Sequence, residues 1–190
     1  EPLDPRHRQY LETAMDAART LLSVIGEVRD FSKIEAGRVD VVKRDFRSAN
    51  LTDAVHGLFA AQMEAKGLRL TAMADPDVPP FVRGDESRLK QILFNLVGNA
   101  LKFTDAGEVR VRVERAALEE RPGETVLDLV VQDTGVGIPE DAQSRIFEPF
   151  RQAGASFERR RQGTGLGLAI VKRLAAAMGG GVSLHSREGE

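Results

Sequence analysis

Between Asp4 and Ala36 the chain carries no Gly or Pro except Pro5 and Gly26, while Leu11, Ala14, Ala18, Leu21, Ile25 and Val28 recur at spacings of three and four. That period predicts one long amphipathic helix with a heptad-like seam. Leu22, Phe31 and Ile34 lie off the seam and widen its apolar surface beyond what a lone helix keeps in water, so this helix needs a partner helix. Gly37 supplies a stop signal, and Arg38 to Phe46, with Val39, Val41 and Val42 among charges, reads as a short linker or edge strand.

From about Asp45 the periodicity switches repeatedly. Asn50 to Lys66 reads as a helix ended by Gly67, with Leu51, Ala54, Val55, Leu58 and Phe59 on one side. Leu68 to Met73 alternates like a strand, and Asp75 to Pro80 is a Pro-rich loop. Asp85 or Ser87 then caps a strong helix through Phe103. Val109, Val111 and Val113 mark a strand of period two, and after a polar loop around Pro122 and Gly123 a second strand runs from Val126 to Gln132, giving an antiparallel hairpin. A short helix to Phe147, a loop rich in Arg and Gly, a helix from Leu166 to Met178 and a final strand Val182 to His185 complete the order. It implies an α+β protein, a two-layer α/β sandwich rather than a doubly wound parallel sheet. The division expected is a helical segment 1–37, a linker 38–47 and a domain 48–190.

Composition removes several function classes. In 190 residues, 27 Lys and Arg stand against 29 Asp and Glu, a net charge of -2, so there is no basic field of the kind that binds nucleic acid through phosphates. No Cys is present, which excludes disulfides, Cys-ligated metals and a thiol nucleophile. The three His, at His7, His56 and His185, stand in unrelated contexts and do not suggest a multi-His metal site. The charge-free stretch from Gln91 to Leu101 falls far short of the ~20 apolar residues of a membrane span, and the N-terminus has no signal-peptide core, so no membrane contact is expected.

Placed on a helix at about 100° per residue, Ser87 to Phe103 puts Leu89, Ile92, Leu93, Leu96, Val97 and Ala100 on one face and Gln91, Asn95, Asn99 and Lys102 on a narrow opposite stripe. A solvated helix face normally selects Glu, Lys or Arg, and Asn is a mediocre helix former, so two Asn at i and i+4 beside a Lys are unusual. The Asn amide oxygen is a neutral, hard ligand suited to Mg2+ that is otherwise held by phosphates and water. Asp133-Thr134-Gly135-Val136-Gly137-Ile138-Pro139 follows the apolar strand Leu127 to Val131; its glycines permit positive φ and close backbone approach, although an ordinary turn also explains it.

Gly163-Thr164-Gly165-Leu166-Gly167-Leu168 opens a helix. It fits neither the dinucleotide fingerprint, because Leu168 stands where the last Gly belongs, nor the Walker A loop. What remains is a flexible helix start, or a hinge that delivers backbone N–H groups and a positive helix end to an anion. Between the two Gly motifs, Ile146-Phe147-Glu148-Pro149-Phe150 precedes a polar run with Arg159, Arg160 and Arg161, which reads as a lid anchored by Phe147 and Phe150.

In this order the four signals resemble the N, G1, F and G2 boxes of bacterial sensor histidine kinases. Lys90 to Thr104 looks like the N box of the hybrid-type kinases, and Asp30-Phe31-Ser32-Lys33-Ile34-Glu35-Ala36-Gly37 resembles the end of the second helix of their dimerisation and phosphotransfer hairpin. The resemblance covers nearly the whole chain. It implies the Bergerat ATP-binding sandwich, a mixed sheet with helices on one face, shared with gyrase, chaperone and mismatch-repair ATPases and preceded here by the long dimerisation helix.

By the same resemblance ATP and Mg2+ are the cofactors. Asn99 corresponds to the Mg2+ ligand, Asn95 to a polar position near metal and phosphates, and Lys102 to a phosphate contact. Asp133 would accept the adenine amino group, and Gly135 and Gly137 would let the ring approach. Gly163, Gly165 and Gly167 would wrap the phosphates beneath the lid, and Ile138, Phe147, Phe150, Thr164 and Leu166 complete the nucleotide-binding set. In the ATPase relatives a Glu activates water one helical turn before the Mg2+ Asn. Asn95 occupies that place here, and an amide is no general base near neutral pH, which favours phosphoryl transfer to a protein nucleophile over hydrolysis.

Two departures accompany the resemblance. The family's phosphoacceptor box resembles His-Glu-x-x-Arg-Thr-Pro, and none of His7, His56 or His185 fits it. The chain also reaches Glu190 where the family continues into a closing strand, so a fragment of a longer protein is expected, its acceptor His upstream. The implied function is the ATP-binding catalytic core of a two-component kinase that phosphorylates a His for relay to an Asp of a response-regulator receiver domain. A homodimer through the N-terminal helix and a cytoplasmic location for this part of the protein are implied with it. The alternatives are a degenerate kinase that only docks a regulator and an anti-sigma-type Ser kinase, the latter disfavoured by the segment Asp30 to Gly37.

Overall fold

The computed structural model describes residues 4–35, 40–116, 123–151 and 164–189, which form two compact units, Glu1–Arg38 and Val39–Glu190. The first is a single helix, α1 (Pro5–Glu35). Pro5 sits at its first position, where a missing N–H costs nothing, and Asp4 Oδ1 accepts from the Arg6 N–H at 2.9 Å. The seam residues Leu11, Leu21, Ile25 and Val28 are exposed on this chain. The seam and Leu22 beside it are therefore bare, whereas Phe31 is buried. Gly37 lies outside the described residues. No helix among the described residues is long and apolar enough to cross a membrane.

The second unit contains β1 (Arg44–Arg47), α2 (Ala49–Ala65), β2 (Arg69–Ala74), β3 (Phe81–Gly84), α3 (Glu86–Phe103), β4 (Glu108–Arg115), β5 (Leu127–Asp133), α4 (Glu140–Gln143) and α5 (Gly167–Ala177). The main sheet has the order β2-β4-β5 and is mixed: β2 runs parallel to β4 with Ala72 opposite Val111, and β4 runs antiparallel to β5 with Val111 opposite Val131. A parallel pair requires a long crossover, and residues 75–107, with α3 among them, supply it.

Along β4, Val109, Val111 and Val113 are fully buried and alternate with the exposed Arg110 and Arg112, so one face of the sheet is covered and the other wet. The cover comes from α2, through Leu51, Val55, Phe59 and Met63, and from α3, through Leu93, Val97 and Ala100. Phe59 and Phe94 meet edge to face with centroids 6.0 Å apart. α3 packs against α5 as well as α2. Leu58, expected among the packed residues of α2, is exposed; the buried stripe steps by four from Leu51 to Met63 and takes in Thr52 instead.

The linker stretch yields a true edge strand. β1 pairs antiparallel with β3, a four-residue strand that the sequence reading passes over. Its cue is faint, for Phe81-Val82-Arg83-Gly84 is short and follows two prolines. Asp85, not Ser87, is the cap of α3. Its buried carboxylate accepts from the Arg88 N–H at 3.1 Å through Oδ1 and from the Val42 N–H at 2.9 Å through Oδ2. Glu86 accepts from Lys90 at 2.7 Å and from Asn50 at 3.0 Å. The Lys90 hydrogen bond is the main reason its carboxyl is held below the usual carboxylate range.

The expected final strand Val182 to His185 is irregular and joins no ladder. The polar groups that follow it bond to the loop after β5 instead: Ser186 Oγ accepts from the Ile138 N–H at 2.9 Å and the Gly189 N–H donates to Val136 O at 3.0 Å.

Candidate functional site

The polar stripe of α3 is the spine of the site. Gln91, Asn95, Asn99 and Lys102 are all half-buried, which separates them from an ordinary solvated face. At the end of the helix the fully buried Thr104 is the cap; its N–H donates to Ala100 O at 3.0 Å, and its hydroxyl donates to Asp133 Oδ1 at 3.4 Å. Lys66, at the end of α2, donates from Nζ to Leu101 O and Thr104 O, both at 2.6 Å. A cation on the orphan carbonyls of a helix end neutralises its partial negative charge, and here it fixes the end of α3 against the core.

Asp133, the last residue of β5, is exposed, and its Oδ1 also accepts from the Gly135 N–H at 2.9 Å. The loop 134–138 is drawn onto α3 by the Val136 N–H, which donates to Phe103 O at 3.3 Å. A Cβ on Gly135 would lie 2.6 Å from Asp133 Oδ1 and 2.7 Å from Phe103 O, so the turn closes only without a side chain. Gly137 has φ +69, and a Cβ there would lie 1.9 Å from Arg187 O. The space its missing side chain leaves is thus filled by the backbone of 187–188, a protein contact rather than room for a ring. Gly137→Ala combines positive φ with this collision and should lower stability by about 1–3 kcal/mol, read as a drop in thermal midpoint with unchanged helix content; an unchanged midpoint would contradict the described approach.

The second Gly motif meets the spine at mid-helix. A side chain at Gly167, the first residue of α5, would reach within 3.6 Å of Asn95 Oδ1, so the N-terminus of α5 abuts the Asn stripe. The Leu166 N–H donates to Thr164 Oγ1 at 3.2 Å and Leu166 is fully buried, which pins the entry to the helix. The Phe150 N–H donates to Gly165 O at 3.1 Å and brings the Phe segment to this loop.

Phe150 corrects an expectation. Its side chain is 66% exposed and its φ is +62, so it is its backbone that packs on Gly165 while the ring faces outward. The anchor is Ile146, 8% exposed, with Phe147 half-buried and Lys172 Nζ 6.0 Å from its ring centroid. Gly163 and the Arg run 159–161 lie outside the described residues.

The structure therefore brings Asn95, Phe150, Gly165 and Gly167 together beside the middle of α3, and Asp133, Gly135, Thr104 and the loop to Ile138 at its C-terminal end. Asn99 and Lys102 follow Asn95 by one and two turns, about 6 and 10 Å along the axis. Such a site offers a carboxylate acceptor at one end and a helix N-terminus with backbone donors at the other. Thr104, Lys66 and Ser186 carry no role in the sequence reading. Of these only Thr104 has a local signal, its place immediately after the last helical residue.

Residues 84–190 match the family of histidine kinase-, DNA gyrase B- and HSP90-like ATPases. The chain belongs to this family. It is 45% identical over 185 residues to the signal transduction histidine-protein kinase BarA of Escherichia coli strain K12, an alignment covering 97% of this chain and 20% of BarA. It is 42% identical over 189 residues to the sensory/regulatory protein RpfC of Xanthomonas campestris pv. campestris, covering 98% of this chain and 26% of RpfC. This ATPase-family chain thus spans about a fifth to a quarter of the length of these curated relatives. Among solved structures, full-length ShkA in complex with AMPPNP superposes with a TM-score of 0.81 at 34% identity, over 100% of this chain and 38% of ShkA. The fold is the catalytic, ATP-binding domain of the sensor histidine kinases, an α+β architecture with a mixed sheet.

Proposed function

We propose that the second unit binds Mg-ATP and donates the γ-phosphoryl group to a His on another helix of the complete protein, for relay to an Asp of a response-regulator receiver domain. The observation that carries this is the single polar spine of α3, which runs from the Asp133 loop at the C-terminal end of the helix to the N-terminus of α5 beside Asn95 at mid-helix. Adenine would meet Asp133 and the loop 135–138. The phosphates would lie over the start of α5 at Thr164, Gly165, Leu166 and Gly167, with Lys102 as a cationic contact and with the Phe150 backbone, rather than its ring, against the Gly165 loop.

The donor chemistry suits Mg2+. Among the described residues no three His, Cys, Asp or Glu cluster to hold a metal by themselves, so an ion there would share the Asn99 amide with phosphates and water, which is how Mg2+ is ordinarily held beside nucleotides. It would supply charge neutralisation on the phosphates. The Asn95 amide cannot take a proton from water, which favours transfer over hydrolysis. The bare seam of α1 supports a homodimeric helical hairpin as the platform for the acceptor.

His7, His56 and His185 are surface residues outside the acceptor motif. The 190-residue chain should therefore bind Mg-ATP in calorimetry yet fail to label itself, because in-line positioning supplies effective molarities of about 10⁵–10⁸ M that a stray His lacks. Radiolabelled ATP, with and without an added helix carrying a His-Glu-x-x-Arg-Thr-Pro box, tests both halves. Acid-labile label mapped to His7, His56 or His185 would overturn the acceptor assignment, and absence of nucleotide binding would overturn the proposal.

A further inference from the structure

We propose that Ser186, clamped by Gln143, is a positioning residue for nucleotide: it holds the loop 135–138 at the height that lets Asp133 meet the base. The inference rests on the nucleotide-binding reading above. Between β5 and α4 the chain has no ladder or helix to fix it, yet several of its backbone groups are hydrogen-bonded. The Val136 N–H donates to Phe103 O at 3.3 Å on the α3 side. The other bonds run to the far side. Ser186 Oγ accepts from the Ile138 N–H at 2.9 Å, and the Gly189 N–H donates to Val136 O at 3.0 Å. Gln143 Nε2 donates to Ile138 O at 2.8 Å and to Ser186 O at 3.0 Å, so one amide group ties both segments together.

The arrangement acts as a substitute strand pair. Residues 186–189 lie against 136–138 so closely that only Gly fits at 137, and the spacing is set by two side chains together with the one backbone bond from Gly189 to Val136. Both are half-buried, so a bond lost here is not simply exchanged for one to bulk water. Since Asp133 Oδ1 is tied to the Gly135 N–H at 2.9 Å, a shift of the loop moves the carboxylate with it. Ser186 would thus act on the base without touching it.

Calorimetric titration of the 190-residue chain with Mg-ATP and Mg-GTP tests the inference, at a temperature where circular dichroism shows every variant folded. Ser186→Ala should weaken ATP about five- to tenfold and narrow the ATP/GTP affinity ratio, because one half-buried hydrogen bond and the loop position go together. Ser186→Thr, which keeps the hydroxyl, should stay within about twofold of the parent. Gln143→Glu, which sets a carboxylate against two carbonyl oxygens, should weaken ATP at least as much as Ser186→Ala. A merely structural role would lower the thermal midpoint and leave both affinities of the folded protein unchanged, and that result, or a Thr variant as weak as Ala, overturns the proposal. If the parent chain itself binds no ATP, the failure belongs to the nucleotide reading on which it rests.

Discussion

Asp133→Asn should weaken ATP binding by about ten- to over a hundred-fold, the equivalent of the roughly 1.5–3 kcal/mol of a lost charge-assisted hydrogen bond, and should erode discrimination against GTP. Both intramolecular bonds of this carboxylate, from the Gly135 N–H and the Thr104 hydroxyl, end on Oδ1. An Asn that keeps its carbonyl oxygen there still closes the turn, so the fold survives. The second oxygen, the acceptor we assign to the adenine amino group, becomes an NH2 donor facing another donor. The same NH2 matches a guanine carbonyl, so GTP should lose less affinity than ATP or gain some. Calorimetry on parent and variant at fixed Mg2+ measures both affinities. Equal ATP affinity in the two proteins would remove Asp133 from the base site.

The Asp133 motif is visible in the sequence and the Ser186 contact is not, and the difference is one of range. The helices and strands of the second unit announce themselves through local period: Leu51, Val55, Phe59 and Met63 at steps of four in α2, Val109, Val111 and Val113 at steps of two in β4. The α3 stripe follows from the same geometry, and its Asn pair stands out because a wet face rarely chooses Asn. β3 has no sequence signature, because four residues after two prolines carry no period, and its identity as a strand comes only from pairing with Arg44–Arg47 across the chain. The final strand was over-read in the opposite sense: Val182 to His185 alternates well enough, but alternation does not supply a neighbour.

Phe150 failed for a related reason, since hydrophobicity predicts burial on average while a backbone turn at φ +62 decides where this ring points. Lys66, Gln143 and Ser186 act through contacts 35, 43 or 48 residues away in sequence, and no spacing rule reaches so far.

Asn99→Ala should separate binding from chemistry. Ala is the best helix former and Asn99 lies within α3, so the substitution leaves the helix, the Asp133 loop and the adenine contacts in place. Nucleotide affinity should change only modestly, because phosphates and water remain as ligands for the ion. Phosphoryl transfer, in contrast, depends on fixed groups where charge develops, and removal of one such preorganised ligand costs on the order of 10²–10³-fold in rate. The measurement needs a longer protein that carries the acceptor His, with phosphohistidine formation followed at saturating ATP so that residual binding differences drop out. Transfer at the parent rate would show that Asn99 does not hold the metal. Weakened nucleotide binding with the saturated rate unchanged would place Asn99 in ground-state recognition instead, since an interaction made equally with substrate and transition state changes affinity and leaves the saturated rate alone.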